Sequence, residues 1–83
     1  MVEGRPEAVV REAIRLLSEK RIALGLSMKA VADRAGVSHT MVSRIERGLR
    51  SPTLDMLLRI SFAMEIELWP VLREAETRVD KAN

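Results

Sequence analysis

The sequence predicts an all-α domain built from five short helices. The chain has 83 residues and is 47% hydrophobic, yet Phe62 and Trp69 are its only aromatic residues, so its core must consist of Leu, Ile, Val, Ala and Met. No stretch alternates β-branched and polar residues as a half-buried strand would. Glycine, proline and hydroxyl residues instead divide the chain into five helical segments with short connections. We therefore expect one compact domain that spans residues 1–83.

The first helix is predicted from near Pro6, an acceptable first-turn residue, to about Leu24, where Gly25 stops it. Its inward-facing stripe consists of Val10, Ile14 or Leu17, Arg21 and Leu24, so one arginine interrupts a row of apolar residues. Arg21 thus falls on the buried face, where an unpaired guanidinium is costly. It requires a carboxylate from elsewhere in the fold.

The next two helices are short and lie close together in the sequence. A second helix is predicted over Met28 to Ala35 with Ser27 as its N-cap, and a third over His39 to about Arg47 with Ser38 as its N-cap. Only residues 36–38 separate them. Two helices joined by a three-residue turn form a helix-turn-helix.

The residue spacing supports this motif. Ala32 occupies the position where two crossing helices approach too closely for a larger side chain. Gly36 occupies the turn position that favours a positive φ, which glycine adopts without steric cost. Apolar residues are available to fill the angle between the helices, namely Val31, Ala35, Val37, Val42 and Ile45.

The fourth helix is predicted from Leu54 to Met64, with Thr53 as its N-cap. The fifth begins near Leu68 and is expected to fray before Asn83. Pro70 must lie in the first turn of this helix, because a deeper proline would kink it.

Composition excludes several classes of function. The chain has no cysteine, which rules out disulfides and thiolate metal sites, and its single histidine, His39, cannot form a multi-histidine metal site. Paired carboxylates in a plausible pocket and a glycine-rich phosphate loop are both lacking, so we expect neither an enzyme nor a cofactor. The N-terminal stretch "MVEGRPEA" is unlike a signal peptide, and no apolar run approaches the roughly 20 residues that span a membrane. A cytoplasmic protein is the expectation.

Charge is unevenly distributed along the chain. Residues 15–50 contain eight Lys or Arg against three Asp or Glu, a net charge of +5, whereas residues 51–83 contain four against six, a net charge of −2. The basic middle is suited to an anionic partner, although exposed, solvated helix faces would give a similar count.

The stretch "KRIALGLSMKAVADRAGVSHTMVSRIERGLRSPTLDMLLRISFAM" resembles the DNA-binding domain of phage-repressor-like regulators, the Cro/cI or XRE family. The resemblance covers about residues 14–73 and is most specific at "LGLS", "AGVS" and "SRIERG". It implies a lambda-repressor-like five-helix domain that binds a palindromic double-stranded DNA operator, usually as a homodimer, and represses or activates transcription. A small-molecule ligand is not expected, since the 83 residues include no sensor domain.

The resemblance also assigns roles to individual residues. The third helix matches the family's recognition helix, whose N-terminal residues lie at base edges in the major groove. The implied base contacts are His39, Thr40, Ser43 and Arg44. Arg44 is the strongest of them, because arginine can bond O6 and N7 of guanine together. The implied phosphate contacts are Lys29, Ser38, Arg47, Arg50 and Ser51.

Three further positions bear on this resemblance. Glu46 in "SRIERG" stands where the family commonly pairs a glutamate with a first-helix arginine, which implies a structural ion pair with Arg21. Met28 replaces a common glutamine and cannot make that residue's phosphate contact. Glu65 replaces a glycine that often closes the fourth helix. Either its backbone is left-handed, at a cost of about 1–2 kcal/mol, or the helix continues.

The two aromatic residues suggest a dimer interface. In the family pattern the fourth helix buries the positions of Leu54, Leu57, Ile60, Ser61 and Met64, whereas Phe62 and Trp69 match positions that are usually polar and exposed. Exposed aromatic residues are common at protein contacts. We predict a homodimer interface formed by Leu58, Phe62, Ile66, Trp69 and Val71, unless Trp69 folds back over its own domain. The alternative function is a protein-interaction module, such as an antitoxin-like protein, with secondary DNA binding.

Overall fold

The computed structural model describes residues 4–82, and this part of the chain contains five α-helices and no strand. They are α1 (Arg5–Ala23), α2 (Met28–Ala35), α3 (His39–Glu46), α4 (Leu54–Ala63) and α5 (Leu68–Ala82). The predicted all-α, five-helix fold is confirmed. The predicted first residues of all five helices, and the predicted last residues of α1 to α4, agree with the structure within one residue. Helix α5 is regular through Ala82, where the sequence predicted fraying, and Asn83 lies outside the described residues.

Hydroxyl side chains cap three of the five helices. Each capping residue has an extended backbone and accepts a hydrogen bond from the backbone N–H three residues later. Such a bond satisfies a donor that the helix leaves unpaired and stabilises the helix by about 1 kcal/mol. The bonds run from Ala30 to Ser27 Oγ (3.0 Å), from Met41 to Ser38 Oγ (3.0 Å) and from Met56 to Thr53 Oγ1 (3.1 Å).

Helix α4 ends where the sequence left two alternatives. Glu65 has a φ of 58°, so its backbone is left-handed and the helix stops instead of continuing. The N–H of Ile66 donates to the carbonyl of Ser61 over 3.1 Å, which satisfies one of the last carbonyls of the helix. This turn brings Pro70 into the first turn of α5, as predicted.

Helices α1 and α5 pack against each other and run antiparallel. Arg5 at the start of α1 donates to Asp80 near the end of α5 over 3.0 Å, and Arg78 donates to Glu12 over 3.2 Å. Helix α3 contacts α1, helix α4 contacts α5, and α2 packs against both α3 and α4. The buried core between them includes Leu16, Leu17, Val31, Val42, Ile45, Leu57, Ile60 and Val71.

Three predicted side-chain placements are wrong. Leu24 is 54% exposed, because it follows the last residue of α1 and the chain turns away there. Leu54 is 63% exposed, because it is the first residue of α4 and no neighbouring helix covers that end. Val71 is only 3% exposed. The first turn of α5 places it in the core with Leu16 of α1, so it cannot contribute to a dimer interface.

Arg21 lies on the inner side of α1 and is paired with Glu46 of α3. Its Nε and Nη2 donate to the two carboxylate oxygens over 2.7 and 3.0 Å, and only 14% and 17% of the two side chains are exposed. Ser18 adds a hydrogen bond to the same carboxylate over 2.9 Å. The remaining Nη1 donates to the carbonyl of Leu26 over 2.8 Å. Glu46 is therefore the carboxylate that Arg21 requires, and the network joins α1, α3 and the loop before α2.

Replacing Glu46 with alanine should lower the free energy of unfolding by about 3 kcal/mol, because it leaves the Arg21 guanidinium buried without a counter-charge. Urea denaturation followed by Trp69 fluorescence measures the change. The matched control is Asp33→Ala, which breaks the exposed Lys29–Asp33 pair and should change stability little. An Arg21→Ala, Glu46→Ala double-mutant cycle without coupling would contradict the proposed role of the pair.

Candidate nucleic-acid interface

The turn between α2 and α3 holds the two helices at a fixed angle. Gly36 has a φ of 72°, and the N–H of Val37 donates to the carbonyl of Ala32 over 3.0 Å. Ala32 is 1% exposed at the place where the helices cross. Val31, Ala35, Val42 and Ile45 are buried in the angle, as the helix-turn-helix spacing predicts. One face of α3 is thereby packed into the domain, and its opposite face lies at the surface.

The outward face of α3 carries the four predicted base contacts. His39, Thr40 and Arg44 are exposed, and Ser43 is half-buried between them and the core. At 3.6 residues per turn these positions cover an arc of about 140° on one side of the helix. The structure therefore brings together an imidazole, two hydroxyls and a guanidinium on a helix of eight residues.

The positive charge around this face is not neutralised within the protein. Within residues 4–82, Arg44, Arg47 and Arg50 make no ion pair and no side-chain hydrogen bond. Glu46 is the only acid between residues 34 and 54, and its carboxylate is turned inward to Arg21. The surface formed by α3 and the loop after it is thus strongly basic, although the whole chain carries only +2.

Several cations elsewhere in the domain are neutralised within the protein. Arg15 of α1 is paired with Glu12 and Glu19, and Arg59 of α4 donates to Asp55 over 2.9 Å. Because these cations already have carboxylate partners, they contribute little net field. Arg44, Arg47 and Arg50 differ from these paired cations, and an external anion can supply their missing counter-charge.

The predicted phosphate contacts flank α3 on both sides. Ser38 lies before its first turn, Arg47 follows its last residue, and Arg50 and Ser51 lie in the loop before α4. All are exposed. Ser38 uses an oxygen lone pair to cap α3, which leaves its hydroxyl hydrogen able to donate outward.

Lys29 differs from the other phosphate candidates. Its Nζ lies 2.9 Å from Asp33, and this hydrogen bond, with the attraction of the carboxylate, raises the pKa of Lys29. Lys29 therefore stays protonated, but a phosphate must compete with Asp33 for it. Met28 beside it is half-buried and offers no donor. The positive charge of Lys29 is thus partly neutralised, whereas that of Arg50 is not.

Sequence reasoning assigned no role to Arg34. Arg34, in the last turn of α2, is exposed and has no ion pair among residues 4–82. The positions four residues away from it are Ala30 and Ser38, neither of which can neutralise it within a helix. This absence of a local partner was visible in the sequence, and Arg34 adds an unpaired positive charge to the helix-turn-helix.

The arrangement is suited to binding an acceptor-rich polyanion. Residues 4–82 contain no group of His, Asp and Glu side chains positioned to hold a metal ion. None of the helices in this range is long and apolar enough to cross a bilayer.

A separate apolar surface lies on α4 and the start of α5. Phe62 is 83% exposed and Trp69 is 61% exposed, Leu58 is exposed, and Ile66 is half-buried between them. We call these four residues the α4–α5 surface. Trp69 Nε1 donates to Glu67 over 2.8 Å, and the ring does not fold back over the domain. The groove that they line includes no residue of α3.

Comparisons with a family model and with known proteins all point to helix-turn-helix proteins. A helix-turn-helix family model, HTH_3, matches residues 17–68. An uncharacterised HTH-type transcriptional regulator of Mycobacterium tuberculosis is 44% identical over 41 residues, which make up 49% of this chain and 29% of that protein. The transcriptional regulator ClgR of Mycobacterium tuberculosis is 36% identical over 73 residues, 87% of this chain and 65% of ClgR. The chain thus spans less than two thirds of either relative. No solved structure gives a significant match.

Proposed function

Because the chain belongs to the XRE-type helix-turn-helix family, whose model covers residues 17–68, we propose that it is a sequence-specific, double-stranded DNA-binding transcriptional regulator of the repressor or controller type. One observation carries the proposal. The outward face of α3 presents hydrogen-bonding side chains and the unpaired Arg44, with the unpaired Arg47 and Arg50 after the helix, while the single acid of α3 is withdrawn into an internal ion pair. As a DNA-binding regulator it would act in the cytoplasm.

In this proposal α3 enters the major groove. The groove of B-DNA is about 12 Å wide and admits an α-helix of about 10–12 Å diameter. The base-contacting residues lie on the outer arc of α3, with Arg44 bonding O6 and N7 of guanine and Thr40 meeting a base edge or a thymine methyl group. His39 and Ser43 complete the set.

The flanking segments hold the backbone of the DNA. Arg47, Arg50 and Ser51 are the main phosphate contacts on one side of α3, and Ser38 and Lys29 are those on the other. Such contacts set the register of α3 on the duplex without reading sequence. Because Lys29 is already paired with Asp33, its proposed phosphate contact is the weakest of the five.

A homodimer is the second part of the proposal. A helix of eight residues reads only a few base pairs, and related domains gain specificity by pairing half-sites about 34–36 Å apart on a palindrome. The α4–α5 surface supports such a dimer, because it displays both aromatic residues of the chain on a side whose groove excludes α3. Exposed aromatic residues are enriched among the strongest contributors to protein interfaces. Leu58, Phe62, Ile66 and Trp69 form the proposed interface.

The same surface favours a second candidate function. If Phe62 and Trp69 bind a different protein, the chain is an interaction module in the manner of an antitoxin, with DNA binding as a secondary activity. Sedimentation of the purified protein separates the two possibilities, because only the first requires self-association.

Selection from random duplex oligonucleotides at a defined salt concentration tests the proposal as a whole. We expect a palindromic sequence to be recovered, bound more tightly than random duplex by a factor of at least about 10³. Uniform weak binding to every duplex would favour the interaction module instead.

The roles of Arg44 and Arg50 are separable by mutation. Arg44→Ala should relax preference at one position per half-site, at a cost of about 1–3 kcal/mol per contact, because the bidentate contact with a base is lost. Arg50→Ala should weaken binding to all sequences equally and make it less dependent on salt, because a phosphate contact is lost. Fluorescence anisotropy with the selected duplex and its single-base variants measures both. Equal losses on specific and random DNA for the two variants would refute this division.

Replacing Trp69 with alanine should shift the protein from dimer to monomer at micromolar concentration, because it removes the largest exposed apolar side chain of the interface. Sedimentation velocity of the variant beside wild type measures the change. The matched control is Leu24→Ala, which removes an exposed apolar side chain that lies outside the α4–α5 surface and should leave the dimer intact. A monomeric wild type, or a dimeric Trp69 variant, argues against this interface.

A further inference from the structure

Arg11, in the second turn of α1, lies beside the proposed DNA-binding loop. It lines one groove with Pro6, Val10, Gly48, Arg50 and Ser51. It also lines a second groove that includes Arg47 and Gly48. Arg11 therefore lies beside Arg47, Arg50 and Ser51, which are proposed to hold the DNA backbone on this side of α3. The face of α1 that carries Arg11 adjoins the loop that contains Gly48, Arg50 and Ser51.

The charge of Arg11 is available to an external anion. It is exposed, and within residues 4–82 it has no ion pair and no side-chain hydrogen bond. Its neighbours on the helix differ in this respect, since Arg5 is paired with Asp80 and Arg15 with Glu12 and Glu19. Three unpaired arginines, Arg11, Arg47 and Arg50, thus surround Gly48.

Lys20 is the other cation of α1 that has no ion pair among the described residues. It follows Arg11 by nine residues, which places it on the opposite side of the helix at about 100° per residue. It lines a groove with Ile66, Pro70 and Glu74, away from the loop. Arg11 and Lys20 are therefore both exposed, but they lie on opposite sides of α1.

The same groove contains one acid. Glu7 lines it beside Arg11 and Arg50 and makes no ion pair within residues 4–82. A sequence reading would pair Glu7 with Arg11, because the two are four residues apart on a helix. The structure shows no such pair, so Arg11 keeps its charge available. A phosphate in this groove would be attracted by Arg11 and repelled by Glu7.

We propose that the N-terminal part of α1 extends the DNA contact, with Arg11 binding a backbone phosphate next to those held by Arg47 and Arg50. This inference rests on the proposed DNA-binding function. Arg11 precedes residues 17–68, so the contact lies outside the part of the chain that the family model describes. It adds affinity without sequence preference, since a phosphate carries no base information.

The test compares three single-charge variants of the full chain, Arg11→Gln, Glu7→Gln and Lys20→Gln. Anisotropy with the selected duplex and a scrambled duplex is measured from about 50 to 200 mM salt. Arg11→Gln should weaken binding to both duplexes by the same factor and make the slope of log K against log salt shallower by about 0.9, the value for one phosphate contact. Glu7→Gln should strengthen binding to both. Lys20→Gln should match wild type.

Two results would overturn the inference while leaving the proposed function intact, namely an Arg11→Gln variant that binds as Lys20→Gln does, or a Glu7→Gln variant that binds as wild type does. Failure of wild type to bind any duplex at low salt would instead remove the proposed function, and this inference with it. Thermal unfolding followed by circular dichroism verifies that all three variants are folded, which is expected because the three side chains are exposed.

Discussion

The ion pair between Arg21 and Glu46 is the interaction on which the rest of the structure depends. It fastens α3 to α1, and its third guanidinium nitrogen holds the carbonyl of Leu26 just before α2. It therefore acts on both sides of the helix-turn-helix. It also withdraws the only acid of α3 from the surface, so the internal pair that stabilises the fold is the reason that the outer face of α3 is basic. Because both side chains are largely buried, neither is tolerable without the other.

A helix as short as α3 owes its stability to tertiary packing and not to helix propensity. Ser38 caps its start, and Val42 and Ile45 anchor it in the core. These few positions secure the helix, so the residues on its outer arc are not needed for its packing. Ion pairing likewise differs between the structural residues and the surface around α3. Carboxylates neutralise the cations that join α1 to α5, whereas the arginines around α3 have no partner within residues 4–82.

Helix α4 has two apolar faces, and the domain itself uses only one. Leu57 and Ile60 are buried against the other helices, while Leu58 and Phe62 are directed outward and continue to Trp69 of α5. The left-handed residue Glu65 sets the turn that joins these two parts of the surface. An apolar face that the monomer does not bury is costly in water, and self-association would remove it from solvent.

The sequence by itself determined the features that depend on neighbouring residues along the chain. The caps Ser27, Ser38 and Thr53 and the turn at Gly36 are local, so the helices and the residues on the outer face of α3 follow from the sequence alone. The tertiary structure alone decided which helix covers which position. It buried Val71, exposed Leu24 and Leu54, and left Arg11 without the local acid four residues before it. Periodicity shows which residues share a face, but only the packing of distant segments determines whether that face is buried.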